Sequence, residues 1–75
     1  MRAEEIRGHL KELPFRPIRL FVSDGSTYDI PHPDFMIVSR AEVVVAIHLG
    51  NGDIPERFAY FDPVHITRIE PINGQ

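Results

Sequence analysis

Proline and glycine interrupt this chain at short, nearly regular intervals. Seven prolines and five glycines in 75 residues leave almost no room for an interior helix, because proline lacks an amide donor and glycine weakens helices. Short strands fit between such breaks. The exception is the start, where Ala3, Ile6, Leu10 and Leu13 fall at i, i+3, i+7 and i+10. That spacing predicts a helix over about residues 3–13 with a narrow apolar stripe. Glu4 and Glu5 suit its first turn, Lys11 its last, and Pro14 stops it. Gly8 lies inside it, so the helix depends on docking for its stability.

From Pro17 the apolar period changes to two. Ile18, Leu20 and Val22 alternate with Arg19, Phe21 and Ser23, Asp24-Gly25 turns the chain, and Tyr28 and Ile30 follow on a second strand. A two-residue Asp-Gly loop would set Leu20 opposite Asp29 and mix the faces. A Ser23-Asp24-Gly25 loop with a bulge pairs Leu20 with Tyr28, Ile18 with Ile30 and Arg19 with Asp29, and this is the register expected. Pro31-His32-Pro33 forces an extended corner. Residues 35–49 read as one long strand, bent or turned at Ser39 to Glu42. Gly50-Asn51-Gly52-Asp53 and Asp62-Pro63 are turn signals that bound strands at 57–61 and 66–71. With strands at about 17–23 and 26–31, the expectation is a single domain. It is mainly β with one N-terminal helix, and its five short strands form a small bent sheet or barrel.

A chain of this length buries only about 60% of its unfolded surface. Apolar burial then contributes about 110 kcal/mol against an ordering cost of about 1.5 kcal/mol per residue, and the two nearly cancel. The chain has no cysteine, so neither disulfides nor thiolate metal sites add stability and thiol chemistry is excluded. Self-association is the expected remaining source. The longest apolar run, Val43 to Ile47, is too short to cross a bilayer. No apolar leader precedes the acidic Glu4-Glu5, and a cytoplasmic location is expected.

Two resemblances follow from particular residues. Pro14-Phe15-Arg16-Pro17, Asp24-Gly25, Ile30-Pro31-His32-Pro33-Asp34-Phe35 and the closing run from Asp62 to Glu70 resemble a family of short uncharacterised bacterial proteins. That family carries no function to transfer. The order helix, strand, Asp-Gly, strand, long bent strand, strand, tight turn, strand is similar to the Sm-like or SH3-like small barrel, of which bacterial Hfq is one type. An Sm-like resemblance implies a homo-oligomeric ring that binds single-stranded RNA. Val64 stands where that pattern has a lysine before the histidine at His65.

Catalytic signatures are missing from the pattern. His9, His32, His48 and His65 are widely spaced, with no His-x-His or His-Glu-x-x-His pairing to hold a metal. His32 is the most constrained, between two prolines with Asp34 near. Ser23, Ser26, Asp24, Asp53 and Asp62 occupy positions that turns favour, and Ser39 has no nucleophile elbow around it. No glycine-rich phosphate loop is present. The reading is therefore a non-enzyme without small-molecule cofactor, acting through binding, and two surfaces are candidates. Residues 1–20 hold five basic and three acidic side chains while the rest holds three and eight. This asymmetry nominates Arg2, Arg7, Lys11, Arg16 and Arg19, with Phe21 for stacking, as a single-stranded RNA surface. The second surface is a homo-oligomer interface along the edge strands at Val44, Phe58, Tyr60, Phe61, Ile66 and Ile69.

Overall fold

A computed structural model describes residues 1–50 and 52–72. Asn51, at the centre of the expected turn after Leu49, lies outside the described residues. The helix α1 runs Ala3–Leu10, three residues shorter than the apolar spacing predicts. Lys11 closes it by donating its amide to Arg7 O at 3.0 Å. Leu13 stands before Pro14, where helical geometry is disfavoured, and it is 93% exposed rather than part of the stripe. Glu5 caps the other end, its Oε1 accepting the Arg2 amide at 3.2 Å. The Met1 ammonium donates to Pro63 O at 3.1 Å and Ile66 O at 3.0 Å, which pins the helix start across the far end of the chain. Ile6 is fully buried beneath it.

Six strands follow: β1 Ile18–Val22, β2 Thr27–Ile30, β3 Met36–Val38, β4 Val43–Ile47, β5 Arg57–Phe61 and β6 Ile66–Pro71. They form two three-stranded antiparallel sheets, ordered β2-β1-β6 and β3-β4-β5, not one closed barrel. The β1–β2 hairpin has the bulged register, with Ile18, Arg19 and Leu20 opposite Ile30, Asp29 and Tyr28. Gly25 carries the loop at φ 92°, and its amide bonds Val22 O at 2.9 Å.

The expected bent strand over 35–49 is instead the hairpin β3–β4, which raises the strand count from five to six. The cause is Ser39, whose hydroxyl accepts the amides of Ala41 at 3.3 Å and Glu42 at 2.9 Å. A serine that satisfies turn amides in this way closes a reversal rather than a bend. Pro63–His65 forms a one-turn 3-10 segment between β5 and β6, with Asp62 Oδ1 accepting the Val64 amide at 2.9 Å. On β6 a bulge skips Thr67, and its hydroxyl donates to Phe21 O at 3.1 Å.

The sheets face each other. Ile18, Leu20 and Ile30 from one, Met36, Val43 and Val45 from the other, and Ile66 and Ile6 make the core. Strand alternation then dictates which side chains remain outside.

Candidate interaction surface

On β4 the odd residues fill the core, so Val44 and Ala46 turn outward. Register sets Ile37 and Tyr60 on either side of Val44, and Phe58 beside Ala46. Ile37 is 69% exposed, Tyr60 64% and Phe58 51%. None of these five side chains is charged. The strand residues of the second sheet's outer face therefore form an apolar surface, flanked by the edges of β3 and β5, which no strand among the described residues pairs with.

Three of the six residues nominated as an interface, Val44, Phe58 and Tyr60, come together here. The other three point inward. Phe61 stacks on Tyr28 with ring centroids 5.6 Å apart, Ile66 is 1% exposed, and Ile69 sits opposite Leu20 against the core. Edge strands have one buried face, and alternation had to assign one of each adjacent pair to it. Ile37 and Ala46 were missed, although the β3–β4 reversal, once recognised, places both beside residues already nominated.

The nominated cations are spread over several elements and are partly engaged. Arg7 projects from α1, Arg2 and Lys11 flank its two ends, Arg16 lies in the connection, and Arg19 and Phe21 are on the outer face of β1. Arg19 makes a bidentate pair with Asp29, at 2.7 and 3.1 Å. Those hydrogen bonds raise the guanidinium above its ordinary value and hold the Asp29 carboxyl below its own. Phe21 lies under the Arg68 guanidinium at 3.8 Å, and Arg68 Nε reaches Glu70 at 2.8 Å. Arg2 Nε is 3.8 Å from Glu4. Alternating charges thus cover the first sheet's outer face, and Arg68 occupies the ring face on which a base would stack.

The histidines are dispersed. His65 Nδ1 is 3.1 Å from Ser23 Oγ at the exposed hairpin tip, where Asp24 is committed to the Ser26 amide at 2.9 Å. That hydrogen bond holds the Asp24 carboxyl below its usual value. His32 is exposed, its ring 5.8 Å from Phe35, and His48 stacks on the same phenyl at 4.5 Å. Among the described residues no group of three metal-capable side chains converges. No helix among them is long and apolar enough to cross a membrane. Comparisons with protein-family models, with curated proteins and with solved structures returned no match.

Proposed function

We propose that the chain is a non-catalytic module that associates with a second copy of itself through the outer face of β3-β4-β5. The observation that carries this reading is the row Ile37–Val44–Tyr60, with Phe58 and Ala46 beside it. Large apolar side chains stand exposed in register on a face without charge. A face whose strand residues carry no charge meets a second copy of itself without like-charge repulsion, whereas a strongly acidic or basic partner finds no counter-charge on it. Two-fold pairing also covers apolar surface that a thin sheet leaves wet.

The same reading takes β3 and β4 as the two arms of the expected third strand, so that the chain is an opened variant of the five-stranded Sm-like or SH3-like barrel. The cytoplasmic location expected from the sequence fits such a module.

Sedimentation velocity from 1 to 200 µM tests it. The expected result is a mass above one subunit that returns to one subunit in Tyr60→Arg. A single-chain mass throughout overturns it; if that monomer also binds a single-stranded oligoribonucleotide with steep salt dependence, the RNA reading replaces it.

A further inference from the structure

Among the described residues the two sheets expose four edges, β2 and β6 in one, β3 and β5 in the other. An open edge is a template for another strand, and proteins blunt it with brevity, charge, proline or a bulge. Three of the four carry such devices. β3 is only three residues long, and β2 carries the charged Asp29 and ends against Pro31. On β6 a bulge skips Thr67, Pro71 has no amide to give, and the Met1 ammonium already occupies Ile66 O at 3.0 Å. β5 has none of these from Phe58 to Phe61.

Main-chain parity shows what β5 offers. The Ser39 amide bonds Glu42 O at 2.8 Å, so even residues of β4 turn their main chain to β3 and odd ones to β5. Arg57, Ala59 and Phe61 answer the odd residues. Phe58 and Tyr60 therefore aim their amides and carbonyls at the open side. Next to them, the Glu56 amide is bound to Ile47 O at 2.8 Å, and Asp62 O accepts the His65 amide at 3.0 Å. An added strand finds free groups at Phe58 and Tyr60 alone.

A second β5 running antiparallel can centre on Phe58, Ala59 or Tyr60. Centred on Phe58 it sets Tyr60 against Glu56, and centred on Tyr60 it sets Phe58 against Asp62, where a needed group is taken. Centred on Ala59 it sets Phe58 opposite Tyr60 of the second copy, and every outward amide meets a carbonyl. Aromatic then faces aromatic on the outer face. The small Ala59 comes to the axis, where Cα atoms approach to about 4.5 Å.

We infer that two copies join edge to edge through β5, antiparallel about Ala59, so that their three-stranded sheets become one. This contact adds to the face contact proposed above and stands without it. It consumes the one unguarded edge and stops at two copies, whereas a head-to-tail pairing of β5 with β6, which would propagate, meets the blocked edge of β6. The axis of the edge contact is normal to the sheet and that of the face contact lies in its plane. Two-folds at right angles are the symmetry of a closed tetramer.

Tyr60 lies in both contacts, so the test uses residues that lie in one. Ile37→Arg charges the outer face on β3, away from the β5 edge, and sedimentation velocity should still find two subunits; a single subunit overturns the edge contact. Phe58→Pro and Phe58→Ala shorten the same side chain, but only proline removes the outward amide. Phe58→Pro in the Ile37→Arg background should dissociate about tenfold more readily than Phe58→Ala, through the hydrogen bonds lost; equal dissociation overturns the proposal. Ala59→Cys needs no proline. The chain has no other thiol, so a disulfide joins two copies, and the axial spacing lies within disulfide range. Mild oxidation should give a covalent dimer faster than in Val64→Cys, an exposed control, and equal rates overturn the inference. An Ile37→Arg mass equal to that of the parent overturns the face contact alone and leaves the edge contact supported.

Discussion

Two glycines show how one side-chain change takes opposite signs. At Gly8, in the helix interior, an added Cβ meets nothing within 4 Å, so Gly8→Ala should raise the unfolding free energy by about 0.5–1 kcal/mol. At Gly25 the space is equally open, but φ is 92°, and Gly25→Ala should lower it by about 1–2 kcal/mol through backbone strain alone. Urea unfolding of both variants checks the pair. Asp29 sets a pH dependence. Its carboxyl is held down in the folded chain by Arg19, so the unfolded chain binds more protons in the window from about 4 down to the folded value. The stabilisation is present above that window and lost as pH falls through it. Asp29→Asn should therefore show a smaller loss of urea resistance between pH 6 and pH 3 than the parent; an unchanged loss would contradict the pairing. Arg19–Asp29 and Gly25 were readable in the sequence because they belong to one local hairpin. Arg68 over Phe21 was not, since it depends on β6 returning to β1 from the far end of the chain.

Among the elements, alternation was the most legible property. It put Phe58 and Tyr60 on one side of β5 and Phe61 on the other before any sheet was known. Which side was buried required the partner sheet. The consequence is measurable at dilutions where the chain is monomeric. Phe61→Ala should cost about 2–4 kcal/mol by leaving a gap beside Tyr28, while Tyr60→Ala on the same strand should stay within about 0.5–1 kcal/mol. Equal losses would place the β5 faces wrongly. Two elements departed from their spacing. The helix lost its last turn because Pro14 acts on Leu13, and the long third strand became a hairpin because Ser39 satisfies the turn amides. In both cases one residue's local hydrogen bonding or sterics outweighed a run of favourable apolar periodicity.

At the scale of the molecule, the accessible surface is 5243 Å² against roughly 4,700 Å² for a typical monomer of this size. If a second copy covers the apolar outer face, the Tm should rise by about 3–6 °C for each tenfold increase in protein concentration, because mass action favours the folded associated state. Differential scanning calorimetry at 10, 100 and 500 µM reads this directly. A concentration-independent Tm in the parent, or an equal slope in Tyr60→Arg, would contradict association through this face.

Helix position, the bulged hairpin, strand alternation and the mainly β composition could all be argued from consecutive residues, because each arises from the geometry of neighbours along the chain. Strand order, the division into two sheets, the Arg68 cover on Phe21 and the open edge of β5 could not. They depend on which distant segments pack together, and on where the chain between β2 and β3 turns the Phe35 amide to His32 O and ends the β3–β4 ladder. Local periodicity specifies faces; long-range packing specifies which of them water still reaches.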